Sequence, residues 1–208
     1  KTNRKPSPPF TTDTLLQSSS SSLGWSMSKT SKIASDLYNK GFITYIRTDS
    51  TRTSSGARKI AREIILEEYG EDHLGSGSLG PDAKKNTGNV QDAHEAIRPT
   101  DPRLSEPTDL ENDAIKLYRL IRSRFLSSQM SDSIRERREI IASVDGTGLQ
   151  VSGTASWRIH PGWESASSEF LAKPRIEEPQ YALSEGSIWL IDELDENPNM
   201  TTDETKPP

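Results

Sequence analysis

Residues 41–50 read Gly-Phe-Ile-Thr-Tyr-Ile-Arg-Thr-Asp-Ser, and the interpretation of the chain starts from them. If this segment is extended, the alternation of side chains along a strand places Tyr45 and Arg47 on one face. An arginine can donate two parallel hydrogen bonds to phosphate oxygens, and a tyrosine offers an oxygen nucleophile that can form a covalent intermediate. The pair suits attack on a phosphodiester, while a half-buried ring beside a solvated charge is the commoner structural alternative.

Two further blocks accompany this segment: PPFTTDTLLQ at residues 8–17 and QDAHEAIRPTD at residues 91–101. Together the three blocks resemble the type IA DNA topoisomerases, whose active-site tyrosine lies in a G-[hydrophobic]-ITY-x-RTDS segment. The resemblance implies that Tyr45 is the nucleophile that takes the 5′ phosphate of a broken DNA strand. It also implies that Arg47 steadies the scissile phosphate and that His94 lies near it.

The residues after Arg47 form a polar cluster that can hydrogen-bond its own backbone and fix a loop. Because Thr48 and Asp49 belong to the family's RTDS segment, the resemblance places both at the DNA. We expect Asp49 to orient Arg47 or His94, and a plain turn-stabilising aspartate is the alternative.

His94 and Arg98 share a face at positions i and i+4 if residues 92–98 form a helical turn. An imidazole beside a phosphate can donate a hydrogen bond or shuttle a proton. The alternative is a structural turn in which His94 bonds a neighbouring carboxylate. Arg98 stays open between a DNA contact and an ion pair with a carboxylate.

The composition suits one large or two small soluble domains, with 31% hydrophobic and 27% charged residues in 208. The absence of cysteine excludes disulfides and thiolate metal sites within this sequence. No apolar run approaches the roughly 20 residues that a membrane span requires. We expect a cytoplasmic, nucleoid-associated protein that does not bind membranes.

The net charge of −5 hides an asymmetry along the chain. Lys and Arg number 10 against 3 Asp and Glu in residues 1–59, 9 against 13 in residues 60–130, and 7 against 15 in residues 131–208. The block that holds Tyr45 is therefore basic, at +7. Phosphate binding depends on the contacting face and not on the total charge, so the asymmetry is compatible with nucleic-acid binding.

Apolar periodicity and capping residues predict four helices. Their predicted bounds are Thr11 or Thr12 to about Ser22, a Ser28 cap to Lys40, about Ser54 to Gly70, and a Thr108 cap with Glu111 as capping-box partner to about Gln129. Residues 1–10 are basic and Pro-rich, and we expect an extended linker there. Two helices, a short strand around Tyr45 and a third helix would suit a helix-turn-helix or winged-helix-like domain.

Beyond Met130 the pattern changes to short alternating runs separated by glycines, which predicts antiparallel strands at residues 135–150, 151–160 and 188–194. Three tryptophans are expected to pack this sheet, with base stacking as the functional alternative: Trp157, Trp163 and Trp189. Residues 71–90 read as a loop whose Lys84 and Lys85 are expected to be solvated, with a contact to DNA as the alternative.

The predicted fold class is α+β and multidomain. Residues 1–130 are expected to form a mainly helical, winged-helix-like tyrosine domain, and residues 131–208 an antiparallel segment of the topoisomerase arch. Enzymes of this family also carry a TOPRIM domain that binds Mg²⁺ and supplies a catalytic glutamate. No D-x-D-x-D motif occurs in this sequence, and the nearest acidic run, residues 192–196, lies far along the chain from Tyr45.

The resemblance implies that the parent enzyme relaxes negatively supercoiled DNA by transient cleavage of a single strand. We expect the chain to be an inactive piece of a monomeric enzyme, with single-stranded DNA and the remaining domains as its partners and Mg²⁺ bound elsewhere. Two alternatives remain. One is the topoisomerase half of a reverse gyrase, and the other is a non-catalytic DNA-binding module in which Tyr45 merely packs.

Overall fold

The computed structural model describes residues 1–76, 95–143 and 145–171. Its regular elements are β1 (Thr2–Arg4), α1 (Thr12–Leu23), α2 (Met27–Asn39), α3 (Ser55–Glu68), α4 (Asn112–Ser127), β2 (Ser133–Ser143) and β3 (Gln150–His160). Two short 3₁₀ helices lie at Glu71–His73 and Gly162–Glu164. This content confirms the α+β class. None of the helices in the described ranges combines the length and the apolar character that a bilayer-spanning helix needs.

Local capping explains where the first three helices begin. Thr11 caps α1 in a capping box with Thr14, and Ser54 caps α3 by accepting a hydrogen bond from the Ala57 amide. Helix α2 is capped by Ser26 through the Lys29 amide, so the predicted Ser28 cap is wrong by two residues.

The start of α4 differs from the prediction. Glu111 is its N-cap and makes no side-chain capping bond, so Thr108 and Glu111 form no capping box. Asp109 adopts a left-handed conformation with φ 60°, which turns the chain before the helix begins. The helix therefore starts later than the Thr-x-x-Glu pattern indicates.

Helix α4 joins the two hydrophobic clusters of the helical part, as its apolar stripe predicts. Tyr118 and Ile121 lie in the cluster that includes α1 and α2, and Phe125 and Leu126 lie in the cluster against α3. The Tyr118 hydroxyl donates to the carbonyl of Leu104 at 2.8 Å. Burial raises the pKa of Tyr118 to about 12, because it disfavours the phenolate.

The three described strands form one antiparallel sheet in the order β1-β2-β3. Strands β2 and β3 pair along most of their length, which confirms the antiparallel prediction for residues 135–160. The linker expectation is wrong for Thr2–Arg4, because these residues pair with β2. The predicted strand at 188–194 lies outside the described residues, as do Lys84, Lys85 and Trp189.

A buried carboxylate ties the three strands to the 3₁₀ helix at Gly162–Glu164. Glu164 is 3% exposed and binds Arg135 at 3.0 Å and Arg158 at 3.1 Å, with Arg4 at 3.9 Å. Each strand thus contributes one arginine. Burial alone would raise the pKa of Glu164, but the hydrogen bonds from Arg135 and Arg158 outweigh it and hold the pKa below its ordinary value.

Two tryptophans have packing or structural roles. Trp157 is 4% exposed, and the Arg138 guanidinium lies over its ring at 5.1 Å from the centroid. The Trp163 indole donates to the Arg4 carbonyl at 2.8 Å. The packing prediction is confirmed for Trp157, whereas Trp163 is held chiefly by a hydrogen bond to β1.

Candidate active site

The segment after α2 is an irregular loop rather than a regular strand. Gly41 ends the helix region with φ 79°, and the Phe42 amide donates to the Leu37 carbonyl at 3.0 Å. The predicted strand is reduced to one isolated antiparallel bridge, between Ile43 and Pro99. Ile43 is buried in the core, and exposed and inward-facing side chains alternate only from Thr44 onward.

Three polar residues of the loop are exposed in alternation: Tyr45, Arg47 and Asp49. Ile46 is partly buried against the core and Thr48 is 7% exposed, so these two side chains, which alternate with the exposed ones, point inward. Tyr45 is 43% exposed. The phenol of Tyr45 and the guanidinium of Arg47 are therefore both exposed.

The first half of the loop is held by residues 96–100. The Thr44 hydroxyl donates to the Ala96 carbonyl at 2.7 Å, and the Arg98 amide donates to the Thr44 hydroxyl at 3.0 Å. The Thr44 amide in turn donates to the Arg98 carbonyl at 2.9 Å, and the Thr100 amide donates to the Phe42 carbonyl at 3.0 Å. These bonds flank Tyr45 on its N-terminal side and fix the backbone that carries it.

The second half of the loop is held by the start of α1. The Thr12 hydroxyl donates to the Ile46 carbonyl at 2.7 Å and accepts from the Thr48 amide at 2.9 Å. The Thr12 amide donates to the Thr48 carbonyl at 2.9 Å. Tyr45 and Arg47 therefore lie between two anchored stretches of backbone.

The Thr48 side chain stabilises the loop through a local hydrogen bond. Its hydroxyl accepts from the Ser50 amide at 3.0 Å, as in an ST turn. Asp49 and Arg47 are both exposed, and no ion pair joins them in this structure. The expectation that Asp49 orients Arg47 is therefore not met by a direct contact.

The ring of Tyr38, in the last turn of α2, packs against the ring of Tyr45. The two centroids are 5.3 Å apart and the planes meet at 67°, an edge-to-face arrangement. Apolar periodicity assigns Tyr38 to the buried stripe of α2, yet it is 41% exposed. Its position beside Gly41, where the chain turns back toward Tyr45, is the signal that could have identified it.

The predicted helical turn at residues 92–98 is wrong for its described part. Residues 95–98 form no helix, and Ile97 makes an isolated antiparallel bridge with Phe10. The side chain of Arg98 is 11% exposed and pairs with Glu95 through Nη2 at 2.5 Å. In this structure Arg98 therefore makes the ion pair with a carboxylate that was one of its two predicted roles. His94 lies outside the described residues.

The described part of the loop carries an exposed phenol and an exposed guanidinium. Within the described ranges, no group of three or more His, Asp or Glu side chains could hold a metal ion. An exposed phenol with an exposed guanidinium two residues on can engage one phosphate: the phenol oxygen can attack phosphorus, and the guanidinium can stabilise the charge that develops.

The comparisons with known proteins agree with this arrangement. The profile of the family described as DNA topoisomerase matches residues 1–208. DNA topoisomerase 1 of Thermotoga maritima is 42% identical over 171 residues, which cover 76% of this chain and 26% of the relative. DNA topoisomerase 1 of Fervidobacterium islandicum is 44% identical over 144 residues, covering 63% of this chain and 21% of the relative.

A solved structure shares the fold. The full-length topoisomerase I from Thermotoga maritima superposes with a TM-score of 0.69 at 35% identity, over 86% of this chain and 29% of that one. The chain thus spans about a quarter of the length of these relatives. With the whole chain inside the family profile and the tyrosine segment exposed on an anchored loop, this protein belongs to the type IA DNA topoisomerases.

Proposed function

We propose that the parent enzyme relaxes negatively supercoiled DNA through a covalent bond between Tyr45 and the 5′ phosphate of one strand. The observation that supports this most is the 43% exposure of Tyr45 on a loop anchored on both sides. Tyr45 is not enclosed in the core, in contrast to Tyr118, which is 0% exposed. The exposure therefore favours the catalytic role over a non-catalytic DNA-binding module.

The proposed reaction is a transesterification. The Tyr45 oxygen forms a bond to phosphorus while the bond to the 3′ oxygen of the neighbouring nucleotide breaks. A second strand passes through the gap, and the 3′ hydroxyl then attacks phosphorus and releases Tyr45. Arg47 stabilises the charge on the phosphate oxygens during both steps, and His94 donates a hydrogen bond or shuttles a proton beside them.

Within this site, Asp49 and Thr48 are proposed to lie at the DNA backbone. Thr48 acts by holding the loop, since its side chain accepts from the Ser50 amide. Arg98 is better supported as a positioning residue, because its ion pair with Glu95 stiffens the segment that binds Thr44.

The remaining parts of the reaction are assigned to other domains. We propose that Mg²⁺ binds a TOPRIM domain elsewhere in the parent, and that this domain also supplies the base that removes the proton from the Tyr45 phenol. Residues 1–130 then form the winged-helix-like tyrosine domain and residues 131–208 the arch segment of a monomeric cytoplasmic enzyme on nucleoid DNA. The relatives reported above are named DNA topoisomerase 1, which favours the relaxing enzyme over a reverse gyrase.

Plasmid relaxation by the full-length parent tests the assignment. Tyr45→Phe removes the nucleophilic oxygen and keeps the ring, so relaxation is lost while binding of single-stranded DNA stays within about twofold. Tyr69→Phe, which removes a hydroxyl at the end of α3, is the matched control and keeps activity. Relaxation by the Tyr45→Phe enzyme would refute the assignment.

The 208-residue chain by itself should neither cleave nor relax DNA, because the metal-binding domain and the base are supplied by other parts of the parent. Incubation of the purified chain with supercoiled plasmid and Mg²⁺ checks this. Efficient cleavage would show that the chain carries a complete catalytic site.

A further inference from the structure

A cavity of about 230 Å³ lies between the C-terminal halves of α1 and α4 and the turn after the second 3₁₀ helix. Its lining includes six serines, one arginine and no carboxylate. These polar residues are Ser7, Ser18, Ser22, Ser123, Ser127, Ser167 and Arg124. Leu120, Trp163, Phe170 and Leu171 complete the wall. The cavity is thus polar, carries one positive charge and contains no negative charge.

Arg124 is the charged group of this cavity, and it lacks an acidic partner among the described residues. Its guanidinium lies over the Phe10 ring at 4.4 Å from the centroid and donates one hydrogen bond, to the Ser18 hydroxyl at 3.2 Å. A guanidinium has five N–H donors, so most of them are available. Burial lowers the pKa of Arg124 because it disfavours the charged form.

The serines fall into two groups. Ser123 and Ser127 donate to the carbonyls of Ala166 and Trp163, and Ser127 also bonds Ser167, so these hydroxyls are committed to holding the wall together. Ser18 and Ser22 are one helical turn apart on the same face of α1. Their hydroxyl protons have no acceptor among the described residues, so they can donate into the cavity.

We propose that this cavity binds a phosphate group, with Arg124, Ser18 and Ser22 as its donors. Guanidinium and hydroxyl groups can donate hydrogen bonds to the oxygens of a phosphate, and no carboxylate of the cavity repels its negative charge. The volume is below the range of about 300–1,000 Å³ typical of drug-sized ligands, so it suits a phosphate with part of its sugar rather than a large cofactor.

The site is distinct from the Tyr45 loop and goes beyond the proposed function. Ser18 is six residues along α1 from Thr12, which is about 9 Å at the rise of a helix. Two sources share the same chemistry: a phosphodiester of a DNA strand, and a free phosphate or mononucleotide. The experiment separates them by its choice of probe.

The proposal is tested by calorimetric titration of the 208-residue chain with three phosphate-bearing probes: inorganic phosphate, thymidine 5′-monophosphate and an oligothymidylate without a terminal phosphate. Thymidine, which lacks phosphate, is the control probe. We expect binding of at least one phosphate-bearing probe and none of thymidine. Loss of one charge-assisted hydrogen bond, about 1.5–3 kcal/mol, corresponds to roughly 10- to 100-fold weaker binding. Arg124→Gln is therefore expected to weaken binding by that factor.

Because Arg124 also packs on Phe10, its substitution can disturb the fold. Ser22→Asp tests the site independently, since it places a negative charge at the cavity from an exposed position. Ser21→Asp and Arg119→Gln are the matched controls on the same two helices and should bind within about twofold of the wild type.

The probes assign the source. A free-phosphate site is supported if phosphate and the mononucleotide bind and both cavity variants, Ser22→Asp and Arg124→Gln, weaken that binding. A DNA-backbone site is supported if only the oligothymidylate binds and both variants weaken its binding. Absence of binding by all phosphate-bearing probes overturns the proposal. So does binding that neither Ser22→Asp nor Arg124→Gln weakens relative to its control.

Discussion

At the scale of single residues, Thr12 contributes to the site although it lies far from Tyr45 in the sequence. Its hydroxyl bridges the Ile46 and Thr48 carbonyls and the Thr48 amide. Position 12 is recognisable in the sequence only as a possible helix cap. Its role at the loop depends on contacts across more than thirty residues, which local patterns do not encode.

Thr12→Val should destabilise the 208-residue chain by about 1–3 kcal/mol, because it leaves the Thr48 amide of a buried residue without its acceptor. Thr12→Ser keeps the hydroxyl and is the matched control. Thermal unfolding of both variants measures the difference. A valine variant within about 0.5 kcal/mol of the serine variant would show that the bridge does not hold the loop.

Tyr38 is expected to position the nucleophile through its edge-to-face contact with Tyr45. Such pairs contribute about 0.5–1.5 kcal/mol, so Tyr38→Ala should slow DNA cleavage by the parent roughly three- to tenfold. Tyr38→Phe keeps the ring and should cleave at nearly the wild-type rate. Single-turnover cleavage of an oligonucleotide gives both rates, and equal rates for the alanine and phenylalanine variants would rule out the positioning role.

At the scale of elements, the sheet is joined to the second 3₁₀ helix through Glu164. Its pKa is held below the ordinary value of 4.5, so its ionised form stabilises the folded chain above that pH. This contribution is lost as the pH falls below 4.5 and through the folded pKa. The folded chain should therefore lose more stability in acid than it would if Glu164 had no arginine partners.

Glu164→Gln should lower the stability by about 1.5–3 kcal/mol near neutral pH, where the hydrogen bonds to charged partners are lost. The difference from the wild type should be smaller at about pH 3 than near neutral pH, because below 4.5 the unfolded wild-type chain takes up a proton at this carboxyl more readily than the folded chain does. Glu169→Gln, at an exposed pair with Arg119, is the control and should change stability by less than about 1 kcal/mol. A Glu164→Gln deficit that is equal at both pH values would contradict the linkage.

The sequence predicted elements best where the signal is local. The cap of α1 at Thr11 or Thr12, the start of α3 near Ser54 and the apolar stripe of α4 were recognisable because capping and helical periodicity act within a few residues. At α2 two serines compete two residues apart, and pattern alone chose the wrong one. The strand at Thr2–Arg4 could not be recognised, because it exists through pairing with β2 about 130 residues away.

The site was predictable to a similar degree. Alternation predicted that Tyr45 and Arg47 share a face, and both are exposed, while the family segment singled out Tyr45 as the proposed nucleophile. The loop conformation was not predictable, since its bonds come from Thr12 and from residues 96–100. The pairing of Arg98 with Glu95 likewise lies in a segment without helix, where a helical turn was expected.

At the scale of the whole molecule, the chain contains the tyrosine but spans about a quarter of the length of its topoisomerase relatives. Under the proposed function, its role is to present one phenol and one guanidinium on an anchored loop, while other domains of the parent supply the metal and the base. This division predicts that a covalent DNA adduct forms in the parent and maps to a single position in this chain.

The most direct measurement is the mass of the trapped adduct. The parent is incubated with single-stranded DNA and Mg²⁺, quenched with denaturant, and digested with nuclease and trypsin. Cleavage after Lys40 and Arg47 releases the peptide Gly41–Arg47, which contains one tyrosine. We predict that a nucleotide phosphate is attached to this peptide at Tyr45 and is absent from Tyr45→Phe, whereas an adduct on another peptide, or one that persists in the phenylalanine variant, would contradict the account.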